Sequence, residues 1–213
     1  MQEKSFKEKE LLAKKCFIGG VSGVGKSTFL EKLEELYDCF EIIHGSKYFM
    51  RWLGLKEGDY HSLQSMDDNI KNKELNKMMR FILAAKQKNK TLLVDAHYLR
   101  IKEGKISDAT DDWAGLFDGL FVLEDEPEKI LARIKSDSMN LKRNRKIFPV
   151  PENSDDDKKI KLLRKYHNRT VEKVKKLSNK FNIPYFIIKN KDGKVEEVAR
   201  EFVGCVKLIN CKL

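Results

Sequence analysis

The sequence predicts an α/β fold, a parallel sheet covered by helices on both faces. Short apolar runs alternate with amphipathic helical stretches about five times along the chain. Two of the runs, Thr91 to Val94 and Gly119 to Leu123, are apolar enough to be buried on both sides. Parallel strands need crossover helices, and the alternation supplies them. A (β/α)₈ barrel needs eight such units, more than 213 residues hold here.

The elements follow in order. Cys16 to Gly19 reads as a strand and Lys26 to Tyr37 as a helix, with Phe29, Leu30, Leu33 and Leu36 on one face. Phe40 to Ile43 is a second short strand. Met66 to Lys88 reads as a long helix, because Leu75, Met78, Met79, Ile82 and Leu83 recur at three and four. The strands Thr91 to Val94 and Gly119 to Leu123 come next. Pro127 fits a first helical turn and opens a helix to about Ser136. Arg143 to Pro151 reads as loop. Ser154 or Asp155 caps a basic helix to Phe181, whose apolar side is Ile160, Leu163, Val174, Leu177 and Phe181. Pro184 starts a strand, Tyr185 to Ile188. The last helix, Val195 to Ile209, turns Val198, Ala199, Phe202, Val203 and Val206 inward.

Composition bounds the function. The chain is 41% hydrophobic and 36% charged, enough apolar material for a core, and 213 residues make one domain, 1–213. The longest run of apolar residues and glycine, Cys16 to Val21, is far below the roughly 20 residues of a membrane span. Met1 to Lys15 mixes Glu and Lys without an apolar stretch, so no secretory signal is expected there. Cys16, Cys39, Cys205 and Cys211 form no Cys-x-x-Cys pair, which argues for a reducing cytoplasm rather than a disulfide framework or structural zinc. The net charge of +10 favours anionic partners: nucleotides, nucleic acid or acidic lipid.

The sharpest signal is the run Gly20-Val21-Ser22-Gly23-Val24-Gly25-Lys26-Ser27, which fits G-x-x-x-x-G-K-[ST] between an apolar strand and an amphipathic helix. Glycines let the backbone curl so that successive N–H groups face one phosphate, at the positive end of the helix. Lys26 then reaches the β- and γ-phosphates of ATP, and the Ser27 hydroxyl is placed to ligate Mg²⁺. Such a site needs an acidic residue at the end of a neighbouring strand. Leu92-Leu93-Val94-Asp95 supplies Asp95, a second Mg²⁺ ligand held directly or through water. His97 follows two residues later, beside the metal position.

Other phosphate-loop classes are excluded by what is missing. Asn190-Lys191-Asp192 is one residue short of the base-reading Asn-Lys-x-Asp of GTPases. Asp112-Trp113-Ala114-Gly115 matches D-x-x-G without a preceding strand and is a chance match. No transporter signature occurs, and a two-core helicase motor does not fit the length. A small phosphotransferase remains, which must neutralise charge on the transferring group. Arg133, Arg143 and Arg145 are the candidates, in a lid of about 133–155 within the helix–loop–helix from Pro127 to Phe181.

These residues together resemble the archaeal adenylate kinases and, more broadly, the nucleoside monophosphate kinases, from about Cys16 to Ile209. The resemblance is carried by Gly-Val-Ser-Gly-Val-Gly-Lys-Ser-Thr at 20–28, by Val94-Asp95-Ala96-His97 where the family has Val-Asp-Thr-His, by Arg143-Asn144-Arg145 after a helix holding Arg133, and by Ile188 to Gly193 before the last helix. It implies a P-loop NTPase fold with a five-stranded parallel sheet, a monophosphate-binding flap at about 45–88, and the lid. It implies ATP contacts from Gly20, Ser22, Gly23, Val24, Gly25, Lys26, Ser27 and Thr28, with Asn190 and Gly193 in a loop beside the adenine. It further implies that Gly45 to Leu53 and the helix Met66 to Lys88 line the monophosphate site, to which Arg51 and His97 are assigned. One departure is that the family's Arg-Asp-x-Met-Arg stretch corresponds here to Tyr60-His61-Ser62-Leu63-Gln64, with neither arginine, leaving Arg51, Lys47 or Arg80 to hold the acceptor. The stretch from Arg133 to Arg143 is also longer than the family's by a few residues.

The expected reaction is therefore ATP plus AMP, or a related monophosphate, giving two diphosphates with Mg²⁺. Two rivals stay open: a P-loop kinase or ATPase acting on RNA, with the basic helix as a backbone footprint, and a non-catalytic nucleotide-binding switch. A solvated lysine-rich face explains the helix more simply than nucleic-acid binding does.

Overall fold

Five parallel strands carry the whole architecture, side by side in the order Phe40–His44, Thr91–Asp95, Lys15–Gly19, Gly119–Glu124 and Tyr185–Lys189. A computed structural model describes residues 14–85, 89–102, 105–109, 112–139 and 154–209. Its elements are β1 (Lys15–Gly19), α1 (Lys26–Leu36), β2 (Phe40–His44), α2 (Gly45–Trp52), α3 (Tyr60–Ser65), α4 (Asp68–Ala84), β3 (Thr91–Asp95), β4 (Leu99–Lys102), β5 (Lys105–Asp108), a 3-10 turn (Asp112–Leu116), β6 (Gly119–Glu124), α5 (Pro127–Met139), α6 (Asp156–Phe181), β7 (Tyr185–Lys189) and α7 (Val195–Leu208). Among the described residues no helix is long and apolar enough to cross a membrane.

The central strands are buried on both faces, as their composition requires. Cys16, Phe17 and Ile18 of β1 are all inaccessible, as are Leu92, Leu93 and Val94 of β3. Register sorts their side chains. Phe17 pairs with Leu120, and Ile18 with Phe121, so Phe17 and Phe121 point to opposite faces. Phe17 meets Tyr98, Trp113 and Phe117. Phe121 meets Phe202 of α7, which also touches Phe29 of α1. Helices α1 and α7 therefore pack together on one face, while α4, the 3-10 turn and α6 follow one another on the other. All five residues expected to turn inward from the last helix are buried. Among the described cysteines none is paired, and burial pushes the Cys16 thiol far up.

Several sequence expectations need correction. The long helix read as Met66 to Lys88 is α4, Asp68–Ala84. It starts at an N-cap, Asp67, which accepts from the Asn69 and Ile70 amides at 2.9 and 3.1 Å. It ends at Ala85, which is extended. The segment before it holds two short helices, α2 and α3, that periodicity does not show. The stretch after β3 forms an antiparallel hairpin, β4–β5, fastened to α6 by the Tyr166 hydroxyl on the Leu99 carbonyl (2.7 Å) and by Lys173 on Asp108 (2.7 Å). Strand β2 runs one residue beyond Ile43, to His44.

Candidate active site

The C-terminal ends of the strands meet along one edge of the sheet, the position at which open α/β sheets take ligands. Gly19 ends β1, His44 ends β2, Asp95 ends β3 and Glu124 ends β6. The phosphate loop leaves β1 there and turns into α1. Gly23 (φ 83°) and Gly25 (φ 95°) both take the left-handed conformation that L side chains resist. The Val24 amide closes the turn on the Val21 carbonyl at 3.2 Å.

Asp95 is the centre of the charge pattern. Lys26 Nζ stands 3.7 Å from Asp95 Oδ1, and both side chains are more than four-fifths buried. His44, which pairs with Asp95 across the β2–β3 register, places Nδ1 3.5 Å from Oδ2. Burial pushes the Asp95 carboxyl up, but the Lys26 ammonium, the His44 hydrogen bond and the nearby His97 outweigh it and hold its pKa below the ordinary value. Its Asp95 partner in turn raises the pKa of His44.

Asp95 Oδ1 is buried and accepts no hydrogen bond among the described residues. Of the buried side-chain atoms left without a hydrogen bond among the described residues, Thr91 Oγ1, Trp113 Nε1 and Asp95 Oδ1, only the last is anionic, and a buried anionic oxygen is a seat for a cation. A hard, oxygen-seeking Mg²⁺ fits it: such an ion takes one or two protein ligands and fills its remaining positions with water and phosphate oxygens. Asp95, with the Ser27 hydroxyl at the start of α1, is the pair that would hold it. No cluster of three or more His, Cys, Asp or Glu forms a closed cage among the described residues. His97 Nδ1 lies 3.3 Å from the Gly20 carbonyl, so this ring braces the first residue of the loop.

The underside of the loop rests on α5. A Cβ at Gly23 would lie 2.7 Å from Cγ1 of Ile134, so loop and helix are in direct contact. Arg133 Nη2 donates to Asp125 Oδ2 at 2.5 Å and also to Asp192, while Nη1 reaches the Val24 carbonyl at 3.4 Å. Asn190 Nδ2 donates to the same carbonyl at 2.8 Å, and its backbone amide continues the β6–β7 ladder to Glu124. The Asp125 side chain is wholly buried. Sequence reasoning missed it: a lone Asp just before Pro127 reads as a helix start. Asn190, bonded to the Val24 carbonyl, brings its loop beside the phosphate loop.

The remaining assignments divide. Lys26, Ser27, Ser22, Gly20, Gly23, Val24 and Gly25 share one turn, whereas Thr28 is exposed on α1. Arg51 is exposed in the last turn of α2, whose first residue abuts Asp95: a Cβ on Gly45 would stand 2.8 Å from the Asp95 carbonyl. Lys47 pairs with Glu57 at 3.1 Å, and Arg80 is exposed on α4. Arg143 and Arg145, with the loop from Arg143 to Pro151, lie outside the described residues. Asp112 to Gly115 falls in the 3-10 turn, away from the strand ends, where Trp113 is core.

A family model described as an AAA domain matches residues 19–147, more than half of the chain. No curated protein matches. The similar solved structures include two shikimate kinases. One is shikimate kinase from Acinetobacter baumannii in complex with shikimate, at 14% identity and a TM-score of 0.60, over 94% of this chain and 96% of that one. The other is shikimate kinase from Bacteroides thetaiotaomicron, at 12% identity and a TM-score of 0.56, over 91% and 98%. The fold is that of the P-loop kinases: a five-stranded parallel sheet with helices on both faces.

Proposed function

We propose, from the premise that this chain belongs to the AAA domain family, that it transfers the γ-phosphoryl group of ATP to a small acceptor, and that the acceptor is a nucleoside monophosphate. The observation that carries this reading is the buried Asp95 oxygen that accepts no hydrogen bond among the described residues and is ion-paired at 3.7 Å with the Lys26 ammonium, at the mouth of a glycine-rich turn. The carboxylate and the ammonium pair with each other in this buried site, and each has a stronger partner in an ATP complex: a divalent cation for Asp95 and phosphate oxygens for Lys26.

The loop amides and the positive end of α1 take the phosphates, and Lys26 neutralises charge as the group leaves. Bound Mg²⁺ supplies charge neutralisation on the phosphate oxygens. A monophosphate acceptor is already ionised at neutral pH, so no base is needed and catalysis is positioning plus electrostatics. Arg51 and Arg80, both exposed, are the flap arginines proposed for that acceptor, and Lys47 would have to leave Glu57 to join them. Arg143 and Arg145 are proposed for the lid. Asn190 and Gly193 belong to the ATP side.

His44 favours a second reading. Its ring, oriented by Asp95, stands at the strand end where an acceptor hydroxyl would lose its proton. Two of the similar folds are kinases of shikimate, so a hydroxyl-bearing small acceptor is the alternative.

Soaking crystals with Mn²⁺ and a non-hydrolysable ATP analogue tests the site. The anomalous peak is expected between Ser27 and Asp95. A nucleotide bound with its metal away from both residues would overturn the assignment.

A further inference from the structure

The positive charge of this protein is concentrated. Helix α6 spans 26 residues and carries eight lysines and two arginines against three carboxylates, a net +7 out of the chain's +10. Its apolar side is spent on the core, where Leu163, Tyr166, Val174 and Leu177 are buried. The opposite side is exposed and holds no apolar residue at all.

Along that side Lys158, Lys161, Lys165, Arg169 and Lys176 recur at three, four, four and seven, so they form one row. At 1.5 Å per residue the row is about 27 Å long. Glu172 is the one carboxylate within it. None of the five cations makes an ion pair among the described residues, unlike Arg164 with Glu128 and Lys173 with Asp108 beside them. The helix axis is fixed by the buried face and by Tyr166 on the Leu99 carbonyl. The row is therefore a rigid linear array, not a flexible tail.

We infer that this row binds the phosphate backbone of a nucleic-acid strand. A linear polyanion matches a linear cation array, and release of its counterions drives the association. Protein interfaces are built around pocketed aromatic and arginine anchors, whereas four of the five cations in this open row are lysines. A membrane surface would need the apolar face of the helix to enter the lipid, and here that face is buried in the core. The surface is independent of the phosphate loop and of the reaction proposed for it.

Fluorescence anisotropy of a labelled 20-nucleotide oligouridylate against the full chain tests the inference. Five contacts predict a slope of log K on log salt near −3.5, which is about a hundredfold loss of affinity from 50 to 200 mM salt. The variant K161Q/K165Q/R169Q/K176Q keeps good helix formers at every position. It should flatten the slope to about −0.7 and bind more than about tenfold more weakly at 50 mM salt. A matching thermal melt checks its fold. If that variant is unstable, K161Q/K165Q and R169Q/K176Q are each expected to remove about two contacts from the slope. Absence of oligouridylate binding at 50 mM salt would overturn the inference, as would binding that the substitutions leave unchanged. So would binding to phosphatidylserine vesicles that oligouridylate fails to displace.

Discussion

Replacing Asp125 by alanine perturbs an ion-paired carboxylate whose side chain is wholly buried. Its carboxylate is fully enclosed, accepting from Arg133 at 2.5 Å and from the Glu126 amide at 2.8 Å. Breaking a buried ion pair costs about 3–5 kcal/mol, because the surviving charge is left uncompensated. Arg133 is about a quarter exposed and keeps its second partner, Asp192, so the low end applies, about 3 kcal/mol. For a chain of this size each kcal/mol moves the melting temperature by about 2–4 °C, which gives a fall of about 6–12 °C. Urea unfolding of Asp125→Ala, Arg133→Ala and the double variant should then show a coupling energy above about 1 kcal/mol. Affinity for ATP should fall as well, since Arg133 and Asn190 hold the same Val24 carbonyl beneath the phosphate loop. An Asp125→Ala protein within about 0.5 kcal/mol of the parent, or a coupling near zero, would refute the argument that this pair clamps the loop.

Three further outcomes are expected. Gly23→Ala puts a methyl 2.7 Å from Ile134 on a backbone at φ 83°, so ATP affinity by calorimetry should drop at least about tenfold, the equivalent of 1.4 kcal/mol; an unchanged affinity contradicts the loop geometry. Tyr98→Phe removes the buried hydroxyl that donates to the Phe121 carbonyl at 3.0 Å, so stability should fall by about 1 kcal/mol while turnover stays within twofold. Arg51→Ala should raise the apparent KM for AMP about tenfold or more and leave that for ATP nearly unchanged, as loss of a charge-assisted hydrogen bond predicts; efficient AMP use that survives the change places the acceptor elsewhere.

The sheet was legible because its strands are buried on both faces, and continuous apolar runs such as Leu92 to Val94 say so without any partner. The phosphate loop was legible because its fixed residues lie within eight positions of one another. Residues joined only by the fold were not. His44 and Asp95 are brought together by strand register, with half of the chain's first hundred residues between them. Asp125 gains its meaning from Arg133, one helix later, and from burial that no local pattern encodes. The helices α2 and α3 are too short for periodicity to show, at eight and six residues. The strands of the β4–β5 hairpin are only four residues each, too short a pattern to stand out in the sequence, and the hairpin is pinned by Tyr166 and Lys173 of α6. The acceptor is the least legible part, because the flap lacks the arginines that mark it in the family the sequence resembles.

Phosphoryl transfer itself is the most direct test. Purified protein, ATP and Mg²⁺ are assayed for ADP production against a panel of nucleoside monophosphates and shikimate, beside Lys26→Ala with an unchanged melting curve. The account predicts acceptor-dependent turnover, fastest with a nucleoside monophosphate, that chelation abolishes and Lys26→Ala reduces by orders of magnitude. ATP binding without transfer to any acceptor, or full activity in Lys26→Ala, would contradict it.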